Sequence, residues 1–110
     1  MTVKNLNLEN FEEEIGKSKI PVLIDFYSDW CGPCQMMKPV FEKISDEYNE
    51  KLKFLKLNTQ SEEGLAMKFG IQGIPTLIVL NNEKEIGRIV GFVSEEMLKQ
   101  KINEILNKLK

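Results

Sequence analysis

The chain has 110 residues, 42% of them hydrophobic, which is enough for one core and too short for two ordinary domains. Fifteen basic and 17 acidic residues leave a formal charge of −2, so the sequence carries no electrostatic footprint for nucleic acid or anionic lipid. Arg88 is the only arginine, which argues against bidentate phosphate recognition as a main activity.

The start, Met1-Thr2-Val3-Lys4-Asn5-Leu6, lacks the apolar region of a signal peptide. No apolar run approaches the roughly 18 residues of a membrane span, so a cytoplasmic location and no membrane partner are expected. Residues 3–6 read as a short strand. A helix is expected over residues 10–15, with Leu8, Phe11 and Ile15 at helical spacing and Gly16 as its stop. Pro21-Val22-Leu23-Ile24-Asp25-Phe26-Tyr27 is almost continuously apolar, the pattern of a central strand covered on both faces. The helix after it carries Met37, Val40, Phe41, Ile44 and Tyr48 on one face, with Pro39 expected to interrupt and kink it.

A strand follows over 52–57, then a helix over 62–69 that Gly70 terminates. Strands over 76–80 and 85–90 are joined through Asn81-Asn82-Glu83-Lys84, short enough for an antiparallel hairpin, and Gly91 breaks the second. The last helix takes Ser94 as N-cap, with Val93 placed to staple against Leu98, and turns Leu98, Ile102, Ile105, Leu106 and Leu109 inward. The order β-α-β-α-β-α-β-β-α predicts an α/β mixed sheet with helices on both faces, in one domain over residues 1–110.

The only two cysteines sit in Trp30-Cys31-Gly32-Pro33-Cys34, where a strand gives way to a helix. Residues three apart in a helical turn lie within disulfide range, so one bond can open and close without refolding the chain. A cysteine at the helix N-terminus meets unpaired N–H groups and the positive end of the macrodipole, which favour its thiolate. Cys31 is therefore the expected nucleophile. Cys34, one turn inside, is expected to keep its proton and resolve a mixed disulfide. Other readings stay open. A structural disulfide would close a very short loop and stabilise little; a zinc site would need a second chain, since there is no histidine and no other cysteine. A redox-switched binding module and an oxidase or isomerase complete the alternatives.

Asp25 stands inside the apolar run, where an ionised carboxylate is expensive to bury and its pKa should rise. Six residues before Cys31 on the strand that feeds the redox helix, it is placed to sit beneath Cys34 and take its proton during resolution, with Lys56 as a candidate partner. Gly70-Ile71-Gln72-Gly73-Ile74-Pro75-Thr76 puts a proline directly before a strand, and its isomer stays open on sequence alone.

Taken in order, Asp25, Trp30-Cys31-Gly32-Pro33-Cys34, Pro39, Gly73-Ile74-Pro75-Thr76 and Gly91 resemble the thioredoxin family over essentially the whole chain. The resemblance implies a thioredoxin fold, a five-stranded mixed β-sheet flanked by four α-helices. It implies protein-disulfide reduction with no cofactor, on disulfide-containing protein substrates, with electrons returned by a thioredoxin reductase. By position, Cys31 corresponds to the attacking thiol, Cys34 to the resolving thiol, Asp25 and Lys56 to the buried proton-transfer pair, and Pro75 to the family's cis-proline. Trp30, Gly32, Pro33, Gly73, Ile74 and Gly91 would line a groove that binds an extended substrate segment through the Ile74 backbone. Tyr27, Asn58-Thr59-Gln60 and Phe92 depart from the residues common in relatives, which bears on partner choice and leaves the cysteine chemistry untouched. A surface of mixed charge with no obvious extra apolar patch predicts a monomer.

Overall fold

The computed structural model describes residues 3–48 and 50–110; Met1 and Thr2, part of the start considered above, lie outside them. Five strands, β1 (Lys4–Asn5), β2 (Val22–Tyr27), β3 (Lys53–Asn58), β4 (Thr76–Asn81) and β5 (Lys84–Val90), form one sheet in the order β1-β3-β2-β4-β5. β3 runs parallel to β1 and β2, while β4 is antiparallel to both β2 and β5. Helices α1 (Gly32–Glu47), α2 (Glu63–Lys68) and α3 (Glu95–Asn107), with a π-helical segment at Glu12–Gly16, complete the α/β fold of four helices on a five-stranded mixed sheet. Among the described residues no helix is long and apolar enough to cross a membrane.

β2 reads as almost unbroken apolar sequence because both of its faces are covered. Alternation sends Val22, Ile24 and Phe26 to one face, with Leu55, Leu57, Ile78, Leu80, Ile15 and Leu65. It sends Leu23 to the other, with Phe54, Leu77 and Val79, beneath Met37, Phe41 and Ile44 of α1 and Leu98, Ile102 and Ile105 of α3. Asp25 shares the parity of Leu23, so the same alternation aims it at the α1 face. Its neighbours in register are Lys56 on β3 and Leu77 on β4.

Sequence periodicity overreaches at both ends. Asn7 and Asn10 exchange side-chain-to-backbone hydrogen bonds of 2.8 Å each, which hold a turn over the region where helix was expected to begin. Leu8 lies in that turn and is exposed, and the following segment is wound as a π-helix, with the Lys17 N–H donating to Glu12 O at 2.9 Å. The buried carboxylate of Glu14 anchors it to the sheet through Lys53 at 3.2 Å and Lys4 at 3.5 Å. At the other end, α3 stops at Asn107, so Leu109 is exposed rather than inward-facing. Pro39 lies on the exposed side of α1, which continues through it to Glu47.

The hairpin is tighter than expected, because β4 extends to Asn81 and β5 starts at Lys84. Asn82 and Glu83 have φ of +52° and +67°, the type I′ pattern that matches the twist of paired strands. Glycine or asparagine accepts this backbone readily; a glutamate is strained by about 1–2 kcal/mol, partly offset by the greater chain entropy that glycine loses on folding. Glu83→Gly is therefore expected to raise stability by about 0.5 kcal/mol, read from the urea midpoint, and a lower midpoint would contradict the strain argument.

Candidate active site

β2 ends at Tyr27, and Ser28-Asp29-Trp30 carries the chain to the start of α1. Cys31 is the N-cap, in extended conformation with φ −103° and ψ 112°, and its Sγ accepts a hydrogen bond from the Cys34 N–H at 3.1 Å. Gly32 and Pro33 occupy the first helical positions, where the missing proline N–H costs no intrahelical bond. The N-cap side chain is here a sulfur, so the helix end that would otherwise meet a hydroxyl or carboxylate oxygen stabilises negative charge on Cys31. Cys31 and Cys34 are joined in a disulfide with Cα atoms 5.1 Å apart. Cys34 is 3% exposed, facing the core side of α1, whereas Cys31 is half-buried at its tip.

The loop before β4 comes to the same point. Cys31 Sγ lies 3.7 Å from the carbonyl oxygen of Ile74, and the Ile74–Pro75 peptide is cis. Thr76 Oγ1 donates to Gly73 O at 2.6 Å, and the Gly91 N–H donates to Pro75 O at 2.7 Å. These bonds bring Gly73, Ile74, Pro75 and Gly91 together beside the cysteine. Gly91 has φ +89°, a conformation that a side chain would strain. Trp30 is 86% exposed; Gly32, Pro33 and Gly73 are also exposed, Ile74 and Gly91 half-buried and Pro75 buried. Met36, exposed one turn beyond Gly32 on α1, adds apolar surface that sequence reading missed. The missed signal was a second methionine next to the core residue Met37, one position off the buried stripe.

Asp25 is 5% exposed, and among the described residues its Oδ1 has no hydrogen-bond partner. Burial pushes its pKa up to about 7, with the positive field of Lys56 acting in the opposite direction. Lys56 stands beside Asp25 in register, and among the ion pairs of the described residues none joins the two. A cleft of about 240 Å³ opens to this carboxylate, lined by Asp25, Tyr27, Asp29, Cys34, Gln35, Lys38 and Lys56. It is large enough for several waters and connects the Asp25 carboxylate with Cys34. The sequence gives no local sign that Tyr27, Asp29, Gln35 and Lys38 line it, because nothing along the chain ties α1's first turns to β2 and β3.

The thioredoxin family model matches residues 2–104. The chain belongs to the thioredoxin family. It is 33% identical to a thioredoxin of Porphyra purpurea over 107 residues, 97% of this chain and all of that one. It is 38% identical to a thioredoxin of Synechocystis over 97 residues, 88% of this chain and 91% of the relative. A chloroplastic M-type thioredoxin of Chlamydomonas reinhardtii matches at 38% over 102 residues, 93% of this chain and 73% of the relative.

As a member of the thioredoxin family, the chain is a thiol–disulfide oxidoreductase, and the neighbouring Cys31–Cys34 pair fits its redox centre. Two of the positions expected to bear on partner choice are tied to each other: the Thr59 N–H donates to Tyr27 O at 2.8 Å and Thr59 Oγ1 to the same oxygen at 3.2 Å. This pairing fixes the end of β2, where Tyr27 lines the Asp25 cleft, against the segment after β3.

Proposed function

We propose that the chain, acting as one domain over residues 1–110, is a cytoplasmic protein-disulfide reductase that works as a monomer and receives electrons from a thioredoxin reductase. The observation that carries the reading is the unequal placing of the two sulfurs, one capping a helix N-terminus and the other buried on the cleft that also holds Asp25, whose Oδ1 has no hydrogen-bond partner among the described residues.

The Cys31 thiolate attacks one sulfur of the substrate disulfide, forming the Cys31–substrate bond as the substrate S–S bond breaks; the expelled thiolate takes up a proton. The edge formed by Trp30, Gly32, Pro33, Gly73, Ile74, Pro75 and Gly91 holds an extended substrate segment against the Ile74 backbone. Cys34 then gives its proton through cleft water to the Asp25 carboxylate and attacks Cys31 Sγ. The Cys31–Cys34 bond forms, the mixed disulfide breaks, and the second substrate sulfur leaves as a thiolate that takes up a proton. Two electrons pass from the cysteine pair to the substrate. Lys56 moderates the rise of the Asp25 pKa, keeping the carboxyl able to exchange its proton near neutrality.

The deciding measurement is the equilibrium reduction potential of the Cys31/Cys34 pair, titrated against a defined thiol–disulfide buffer with trapping of free thiols. A value well below that of the cytosolic glutathione pool is expected for a reductase. A value near or above it would assign an oxidase or isomerase instead.

A further inference from the structure

The only arginine of the chain, Arg88, sits on the edge strand β5, opposite Ile78. All three of its guanidinium nitrogens donate: Nε and Nη2 to the two carboxylate oxygens of Glu85, at 2.8 Å each. Nη2 also donates to Phe69 O at 2.7 Å and Nη1 to Gly70 O at 3.3 Å. Those carbonyls belong to the end of α2 and the start of the loop, residues 70–75, that carries Gly73, Ile74 and Pro75.

Glu85 and Arg88 are three apart, and in a regular strand such residues point to opposite faces. They meet because β5 carries one extra residue. Val79 pairs with Gly87 but Leu80 with Glu85, leaving Ile86 as a bulge. The bulge resets the alternation: Ile86 packs with the core on the α3 face, and a Cβ on Gly87 would strike Ile105. Glu85 and Arg88 are thereby both turned towards the end of α2. α2 itself ends in a Schellman motif, with the Ile71 N–H on Ala66 O at 3.1 Å, the Gly70 N–H on Met67 O at 3.0 Å and Gly70 at φ +66°. The motif satisfies the carbonyls of Ala66 and Met67; those of Phe69 and Gly70 are taken up by Arg88.

We infer that Arg88, held by Glu85, is a positioning residue for substrate recognition: it fixes the first residues of the 70–75 loop and, through four further residues, the height of the Gly73–Ile74 backbone above Cys31. The inference rests on the groove reading given under Proposed function. It separates recognition of an extended polypeptide from reactivity of the sulfur itself, because Arg88 touches neither cysteine. A planar fork with donors on three nitrogens spans two carbonyls and a carboxylate together; lysine, whose donors all radiate from one nitrogen, does not reach all of them.

The test compares reduction of insulin with reduction of 2-hydroxyethyl disulfide by the intact protein, using dithiothreitol as electron source, at a temperature well below the unfolding midpoint of each variant. For Arg88→Met, KM for insulin is expected to rise about 5–10-fold with kcat, the rate on 2-hydroxyethyl disulfide and the Cys31/Cys34 potential unchanged. Arg88→Lys should recover little of this, and hydrogen exchange at the amides of residues 71–74 should speed up. Glu85→Gln, which keeps a neutral acceptor, should give a smaller rise in KM and covers the case in which Arg88→Met fails to fold. Gly73→Asp, placed in the groove itself, is the control. If it raises KM while the Arg88 and Glu85 variants do not, the positioning role is overturned and the groove stands. If all are silent, the groove reading falls and takes the inference with it. Equal losses on insulin and on the small disulfide would likewise overturn it, since they would place the effect at the sulfur.

Discussion

Cys31→Ser brings the reduction of both protein and small disulfides to background, while the variant binds a disulfide polypeptide no less well than the reduced wild-type protein. A serine hydroxyl at the N-cap still accepts the Cys34 N–H, so the helix start is retained, but it presents no thiolate to attack sulfur. Cys34→Ser gives the complementary result. Its Cys31 still attacks, but nothing resolves the product, so a covalent adduct with the polypeptide accumulates and is released by dithiothreitol. Mass spectrometry under non-reducing conditions reads both outcomes. An adduct trapped by Cys31→Ser instead would exchange the two roles, and unchanged turnover in Cys31→Ser would remove thiol chemistry from the function altogether.

Asp25→Asn has the second large effect, and it moves stability and resolution in opposite directions. In the unfolded chain the carboxyl loses its proton near 3.8, whereas in the folded protein burial delays this to about 7. Between these values the folded state holds the extra proton, so wild-type stability falls as pH rises through the window and stays lower above it. A shift of that size corresponds to about 4 kcal/mol at most, less what the asparagine amide costs in the same site. Urea unfolding of the oxidised proteins should therefore show the variant close to wild type at pH 4 and more stable at pH 9. The groups facing the carboxylate are Lys56 from β3, Cys34 and Lys38 from α1, and Tyr27 and Asp29 at the end of its own strand. The disulfide removes Cys34 from the titration, which isolates Asp25. Equal stability gaps at both pH values would mean that the carboxyl is not desolvated as its burial indicates.

The same substitution removes the acceptor for the Cys34 proton. Positioned acid–base groups contribute about 10²–10⁴-fold, so resolution of the mixed disulfide at pH 7 is expected to slow by about 10²-fold, the lower end, because cleft water gives the proton a second route. Rising pH should restore the rate as solvent base takes over. Stopped-flow detection of the second thiol released reads this step directly; unchanged resolution at pH 7 would leave Asp25 with no part in it.

The local chemistry of the site was open to sequence reading because it depends on neighbours along the chain. Two cysteines three apart at a strand-to-helix junction set their own spacing, their own helix end and their unequal depth. Alternation along β2 likewise commits Asp25 to a buried position, since a one-residue slip would turn Leu23 away from α1. Ser94 capped the last helix where expected, accepting from the Met97 N–H at 3.2 Å. The failures also have local causes. Leu8 matched a helical period that two asparagines override with their own turn, and Leu109 lay past the point where α3 ends.

What only the tertiary structure decided are the meetings between segments far apart in sequence. No periodicity shows that the Ile74 carbonyl comes within 3.7 Å of a sulfur 43 residues earlier. None shows that Asp29, Gln35 and Lys38 join Asp25, Cys34 and Lys56 around one cleft. The bulge at Ile86 is the sharpest case. A period of two places Glu85 and Arg88 on opposite faces, and only pairing with β4, one residue out of step, turns both onto the end of α2. Sequence determines short-range geometry because each residue's backbone limits its neighbours; register and approach between distant segments are set by how the whole sheet packs against its helices.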